Sequence, residues 1–444
     1  MIRIANGQGF WGDWLEAPSR LVDGGPIDYL TLDYLAEVTM AVLQKQRQRD
    51  PSLGYARDFP PLIAKLAPKL IESGIRVLAN AGGLNPVACG REIRRLAPML
   101  KVAVVLGDDV LDRIDEFSAR GLAMANIDTG APLASIRPRI VSANAYLGAF
   151  PLADALDTDA DVVVTGRCAD AALALAPCIY EFGWKADEVD RLASGMVAGH
   201  IIECGAQATG GNTQVDWQTV ESLEEIGYPI VEMNQDGTFE VTKHPSTGGR
   251  VNSHTVKEQL IYEIGDPRNY VTPDCVVDFT SVHVEDSGCD RVRVERVKGG
   301  PPTDSLKLSV NYAAGWKAIG TLVYTWPDAV KKAQTADRIV RRRLESLGLV
   351  FDELYTELFG WNACHGEAAI PADVVPEVQL RIGARGTDKA AVDRFTRELV
   401  PLILSGPPGA TGYGDGRPQV REVVAYWPAL IPRAVVAPSV EVLE

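Results

Sequence analysis

The stretch "IRVLANAGGLNPVACGREIRRLAPMLKVAVVLGDD", Ile75 to Asp109, decides the class of fold. Its opening run, Ile75–Ala79, shows no strict polar–apolar alternation, as expected of a strand covered on both faces. The run turns into glycines, and Pro86 then stands in the first turn of a helical segment, where a missing N–H is harmless. A second continuous apolar run, Val102–Leu106, follows. Strand, helix and strand in this order, with continuous apolar strands, predict a mainly parallel sheet covered on both faces.

The alternation extends outward from there. "MIRIANG" reads as a strand running into a glycine turn, and "DVVVTG", Asp161–Gly166, as another strand. "DYLTLDYLAEVTMAVLQKQRQRD" places Tyr29, Leu32, Leu35, Ala36, Thr39, Met40 and Leu43 on one broad face and predicts a helix. "FPPLIAKLAPKLIESG" predicts a helix stopped by Gly74. Beyond these the texture changes. "YPIVEMNQDGTFEVTK" signals a hairpin about Asp236-Gly237, and "VNSHTVKEQLIYEIGD" a helix ended by Gly265. Tyr270–Tyr324 reads as short alternating strands, and Asp328–Ser346 as a helix. The expected fold is α/β, with a mainly parallel doubly wound sheet in the N-terminal half and an α+β, strand-rich second half. The expected domains are 1–215 and 216–444, with the boundary somewhere in 215–270.

The 444-residue chain is 46% hydrophobic and 23% charged, an ordinary globular composition, with a net charge of −15. Its basic residues are scattered, which argues against nucleic acid as a partner. The seven cysteines are dispersed, with no CxxC pair and no zinc-ribbon spacing, so reduced thiols in the cytoplasm are expected. No run approaches the ~20 apolar residues of a membrane span, and the N-terminus lacks the pattern of a signal peptide.

Several stretches hold residues suited to chemistry. In the turn after Ile75–Ala79, Asn80, Gly82, Gly83 and Asn85 offer amides and close backbone approach to a ligand, or form a plain strand–helix turn. Phe10 and Trp11 would wall a pocket or pack under a loop, with Asp13 beside them as an acid, base or ribose contact. Arg167 suits an anionic group, and Asp170 an acid–base or capping role; the two would also simply pair. In "GMVAGHIIECG" His200, Glu203 and Cys204 share one helical face, as an oriented acid–base pair, as a metal-binding trio without a second His cluster nearby, or as packing. Gln207 and Asn212 lie in the glycine loop that follows. "VTKHPSTGGRVN" supplies Lys243, His244, Thr247, Gly248 and Gly249 before a helix, as an anion and proton-transfer site or a charged hairpin end. "SGPPGATGYGDGRP" would cover a site, with Tyr413 and Arg417 as contacts, or serve as a connector. No nicotinamide or flavin signature and no GxSxG is present.

The words "NGQGFWGDWLEAP", "NAGGLNP", "TGRCADAALALAP", "GHIIECGAQATGGN", "TKHPSTGG", "LIYEIGDPRNYVTPDCVVDFT" and "SGPPGATGYGDGRP" resemble the acyclic terpene utilization (AtuA-type) family, from Ile2 to about Val436. The resemblance implies a setting in bacterial catabolism of citronellol- and geraniol-type terpenoids, which passes through branched acyl-CoA esters. Some members carry an extra small C-terminal domain, so a separate small subunit is an expected partner.

Together these readings give an expected function. The chain would be a cytoplasmic catabolic enzyme acting on a carboxylate or branched acyl-CoA by hydratase/lyase-type acid–base chemistry. His200, Glu203, Lys243, His244 and Asp170 would be catalytic. Asn80, Gly82, Gly83, Asn85, Arg167, Gln207, Asn212, Thr247, Gly248 and Gly249 would bind substrate. The expected partners are a small acyl substrate and further copies of the chain, with no metal and no cofactor beyond a CoA moiety on the substrate. The alternative is a non-catalytic acyl-CoA-binding or scaffold subunit of a catabolic complex.

Overall fold

The computed structural model describes residues 1–35, 37–370, 374–411 and 416–444. The chain forms two compact units, Met1–Asn311 with Tyr426–Glu444, and Tyr312–Ala425.

The first unit is built on the strands β1 (Ile2–Gln8), β2 (Tyr29–Leu32), β3 (Arg76–Ala79), β4 (Val102–Leu106), β5 (Ile140–Ala145), β6 (Val162–Thr165), β7 (Ile230–Met233), β8 (Phe239–Thr242), β9 (Tyr270–Val271), β10 (Val276–Asp278), β11 (His283–Gly288), β12 (Arg291–Glu295) and β13 (Lys298–Gly300). Its helices are α1 (Ala17–Gly24), α2 (Glu37–Arg49), α3 (Phe59–Ser73), α4 (Pro86–Leu96), α5 (Ile114–Ala119), α6 (Phe150–Leu156), α7 (Ala172–Phe182), α8 (Val189–Ile202) and α9 (Ser253–Leu260). The 21-residue β14 (Ser305–Thr325) begins in the first unit and ends in the second. The second unit adds α10 (Ala329–Ser346), β15 (Glu353–Phe359), β16 (Glu377–Gly386), α11 (Lys389–Phe395) and α12 (Leu402–Ser405). Strands β17 (Arg421–Pro432) and β18 (Ser439–Leu443) close the chain.

Ten strands of the first unit form one sheet in the order β11-β12-β8-β7-β1-β2-β3-β6-β4-β18. The central pairs β1–β2, β2–β3, β3–β6 and β6–β4 are parallel, in line with the continuous apolar runs. The flanks are antiparallel, so the sheet is mixed rather than mainly parallel. The hairpin β7–β8 turns on Asp236-Gly237, with Gly237 at φ 90°, and so tight a turn returns the chain only antiparallel. Through β7 this hairpin pairs antiparallel with β1, and β18 pairs antiparallel with β4. The 215–270 segment, where a domain boundary was expected, therefore runs inside the first unit and widens its sheet.

Three other expectations change. Tyr29–Leu32 is a strand, not the start of a helix; all four side chains are buried, and cover on both faces erases the helical signal's meaning. The helix begins at Glu37, and Ala36 lies outside the described residues. Helix α9 ends at Leu260 rather than near Gly265, because Ile261 beyond it is 77% exposed and has nothing to pack on. Instead of short strands, 305–325 is one long strand, since Gly315 at φ 96° continues it where its missing Cβ would meet the Gly386 carbonyl at 2.6 Å.

Valines 77, 102, 104, 162 and 164 pack with Leu30, Ile63, Leu70 and Ile93 in the first unit's core. Each fully buried side chain of this kind contributes about 1.5–3 kcal/mol. In the second unit β14, β15 and β16 form an antiparallel sheet, and its buried Leu322, Leu380 and Ile382 pack with Val340 of α10 and Phe395 of α11. Among the described residues no helix is long and apolar enough to cross a membrane.

Helix α8 approaches the start of α7 through Gly199, where a Cβ would lie 2.5 Å from the Ala171 carbonyl oxygen and 2.7 Å from its Cα. Backbone cannot yield as a flexible side-chain tip can, so Gly199→Ala should destabilise the fold by about 1–3 kcal/mol. Denaturant melts that place the variant within about 0.5 kcal/mol of wild type, the range of a neutral surface change, would show that this contact is slack.

Candidate functional site

The loop from Gly166 to Ala171 joins β6 to α7 and is held by a buried carboxylate. Asp108 Oδ2 accepts from the Arg167 backbone N–H at 2.8 Å and from Asn144 Nδ2 at 2.8 Å. Gly166 makes this approach feasible, for a Cβ there would sit 2.4–2.5 Å from the Asp108 oxygens. The Asp108 carbonyl accepts from the Ala145 N–H, which ties the loop after β4 to the end of β5. Burial pushes the Asp108 carboxyl up to about 7, against the hydrogen bonds from Arg167 and Asn144 that favour its charge.

The loop projects Arg167, whose side chain is 2% exposed. Its guanidinium donates to the Leu35 carbonyl, meets Asp170 Oδ1 at 2.9 Å, and lies 4.2 Å from the centre of the Tyr146 ring. Behind it, Asp33 accepts from Asn80 Nδ2 at 2.7 Å and from the Leu35 N–H at 3.0 Å. Burial and then the Asp170 charge push Asp33 well above the usual carboxylate range, although Arg167 and these donors oppose them.

The C-terminal end of α8 brings His200 and Glu203 to the same region. His200 Nδ1 is 3.1 Å from Glu203 Oε1, and the ring is flanked by Tyr270 and Phe279 at centroid distances of 5.7 and 5.2 Å. Burial pushes the imidazole pKa down. The hydrogen bond and charge of Glu203, with the Gln259 carbonyl and the Glu263 charge, outweigh that and hold it above its ordinary value. His200 is 3% exposed and Glu203 16%, so the carboxylate is the more accessible of the two.

A cavity of about 570 Å³ is lined by Tyr146, Arg167, Asp170, His200, Glu203, Glu263, Tyr270 and Lys307, among others. It thus gathers cations, carboxylates and an imidazole beside apolar residues such as Met196, Leu306 and Leu430. Lys307 Nζ lies 4.9 Å from the centre of the Tyr146 ring. A second hollow, of about 680 Å³, lies in the second unit; among the described residues its charged lining side chains are Lys317, Arg417 and Arg421.

Of the residues singled out from sequence, the structure brings Arg167, Asp170, His200 and Glu203 together at the cavity. Asn80 is not in the cavity lining; it donates to Asp33, whose charge interacts with those of Arg167 and Asp170. The others have partners elsewhere. Lys243 Nζ donates to the Thr247 carbonyl at 2.9 Å and pairs with Asp290 at 3.0 Å. His244 Nε2 contacts the Leu21 carbonyl at 2.9 Å, and burial pushes its pKa down. Thr247 Oγ1 donates to the His244 carbonyl, while the Gly248 and Gly249 amides donate to the carbonyls of Glu225 and Glu221. A Cβ at Gly82 would meet the Thr165 carbonyl at 2.7 Å, and one at Gly83 the Leu43 side chain at 2.2 Å. Asn85 caps α4, accepting from the Ala88 N–H. Gln207 accepts from Gln259, and Asn212 adopts a left-handed turn conformation at φ 57°. Asp13 organises its own loop through Gly9, Trp14 and Tyr228. Trp11 donates to Asp58, and Phe10 is 56% exposed. Arg417 is held by Thr396 and Asp393, whereas Tyr413 lies outside the described residues.

Sequence reading missed Asp33, Asp108, Tyr146, Glu263, Tyr270 and Lys307. For Asp108 a signal existed, since it stands two residues beyond the end of β4, as Arg167 does beyond β6. Tyr146, likewise, follows β5 directly.

The sequence model described as acyclic terpene utilisation family protein AtuA matches residues 2–442. The chain belongs to the AtuA family. Membership carries a role in acyclic terpene utilisation, and the match spans both the Gly166–Ala171 loop and the end of α8. No curated protein and no solved structure matches this AtuA chain.

The buried Asp108 generates a pH-dependent stability. Its folded pKa of about 7 exceeds the ordinary aspartate value near 4, so the folded protein holds the extra proton. The resulting stability is full below about pH 4 and is lost as pH rises through about 7. Asp108→Asn retains an acceptor oxygen for Arg167 and Asn144 and removes the ionisation. Relative to wild type, the variant should therefore gain stability between pH 5 and pH 8. Thermal melts in which the difference in Tm stays constant across that range would contradict the assignment.

Proposed function

We propose that this AtuA-family chain is a catabolic enzyme acting on a carboxylate or branched acyl-CoA by hydratase/lyase-type chemistry in the cavity lined by His200 and Glu203. The observation that carries the reading is the 3.1 Å His200–Glu203 pair in the wall of a cavity that also holds Arg167 and Lys307. Proton abstraction next to a carbonyl needs a base and a cationic or hydrogen-bonding partner for the enolate-like oxygen. Both kinds of group line this one cavity.

In the elimination direction Glu203 takes the proton from the carbon next to the carbonyl. The C–O bond at the next carbon then breaks, and the proton held by Glu203 passes to the departing hydroxyl, which leaves as water. Hydration is the reverse, with the same atoms and no outside reductant or oxidant. His200 stands behind the carboxylate, and its raised pKa supports an imidazolium that holds Glu203 in place. Arg167 and Lys307 bind the carboxylate or carbonyl oxygen, while Met196, Leu306 and Leu430 line space for a branched chain. At about 570 Å³ the cavity has room for an acyl chain of terpenoid size. On this reading, Lys243 and His244 are engaged in packing and pairing rather than in proton transfer.

Turnover of branched 3-hydroxyacyl-CoA esters and of the matching free acids tests the reading. Glu203→Gln should lower kcat by about 10²–10⁴-fold, the usual worth of a positioned base. His200→Gln should alter the pH profile of kcat/KM, because the charge beside the base is gone. Full turnover by Glu203→Gln on the identified substrate would sink the assignment. Tight acyl binding without turnover by wild type would favour a binding subunit.

A further inference from the structure

The sheet of the second unit has its core on one face. Ala318, Leu322, Leu380, Ile382 and Ala384 turn inward to α10 and α11. The alternate positions of β14, β15 and β16 form the opposite face, where Ile319 is 42% and Tyr355 55% exposed. Strand register lines these positions up in rows. Tyr355 and Ile319 both stand opposite Gly383, the first from β15 and the second from β14. Glu353 and Lys317 both stand opposite Arg385, and Glu357 stands opposite Arg381. A hollow of about 270 Å³ lies on this face, between Tyr355 and Ile319. Gly383 leaves it open, for a Cβ there would find nothing closer than Ile319 at 3.8 Å.

We propose that this face is a two-fold interface with a second copy of the chain. The charge pattern selects that occupant. Acidic side chains stand on β15 (Glu353, Glu357), and cationic ones on β16 and β14 (Arg385, Arg381, Lys317). A two-fold axis running along the strands near β16 lays β15 of one copy over β14 of the other. Glu353 then faces the partner's Lys317, and Tyr355 faces the partner's Ile319 across the paired Gly383 hollows. The same axis sets Arg385 and Arg381 opposite their own copies, with Arg381 already paired to Glu357 at 2.9 Å; an axis across the strands would set Glu353 against the partner's Glu357 and Arg385 against the partner's Arg381, with no opposite-charge pair among them. The contact is isologous, as in most homodimers, and two sheets packed face to face in this way stand about 10 Å apart. With a net charge of −15 on each chain, local pairing of this kind must outweigh a general repulsion.

Light scattering after size exclusion, on the full chain across a concentration series, tests the proposal. Wild type should run at twice the 47.9 kDa of one chain. Ile319→Arg and Tyr355→Arg should give monomers, with near-UV circular dichroism unchanged. Glu353→Lys should raise the dissociation constant at least about tenfold, and Glu353→Lys combined with Lys317→Glu should restore it, as a contact between the two positions requires. A wild type that stays monomeric at every concentration overturns the proposal and leaves the hollow to another partner. So does an oligomer whose mass survives both Ile319→Arg and Glu353→Lys.

Discussion

A guanidinium taken out of water costs several kcal/mol unless its charge and donors are met. The burial of Arg167 is the constraint around which the carboxyl-end loops of the first unit are arranged. Its donors require the Leu35 carbonyl after β2 and Asp170 before α7, and its face requires the Tyr146 ring after β5. Its backbone N–H requires Asp108 after β4, which is why residue 166 has no Cβ. Loops from four strands are thereby brought to one place, the crevice beyond the carboxyl ends of parallel strands where open α/β sheets bind ligands.

The second contribution comes from α8, which is not part of that loop cluster. Gly199 lets the helix come against Ala171, and the next residues, His200 and Glu203, are then delivered beside Arg167 and Asp170. The cavity is therefore a joint product of a strand-end loop and a helix C-terminus. Its acids and imidazole sit close enough to perturb one another: Glu203 outweighs burial to hold His200 above its ordinary value, and the Asp170 charge adds to the burial that raises nearby Asp33. Perturbed groups gathered in a cleft are a physical reason to place chemistry there. Lys243 and His244 have comparable chemical potential but satisfy it with Asp290 and the Leu21 carbonyl.

What was legible in the sequence follows the range of the interaction. The His200–Glu203 pair needed only helical spacing, and the Arg167–Asp170 pair only three residues of separation, so both could be read locally. The β7–β8 hairpin was legible for the same reason, since Asp236-Gly237 is a turn with its own chemistry. Tyr29–Leu32 misled because an apolar run covered on both sides has no period of its own, and the adjoining helix lent it one. The pairing of β7 with β1 bridges more than two hundred residues and leaves no local trace.

The sequence by itself determined the strand and helix segments of the parallel core apart from β2, the glycine turns that punctuate them, the family, and the pairs of side chains joined by short spacing. These depend on backbone propensity, side-chain period and neighbours a few residues apart. Only the tertiary structure decided that the sheet is mixed, that the second half widens it, and that Lys307, Tyr146 and Glu263 line a cavity with His200 while Lys243 does not. Those outcomes rest on which distant groups must satisfy one another once water is removed, and burial of that kind is a property of the folded chain rather than of any segment.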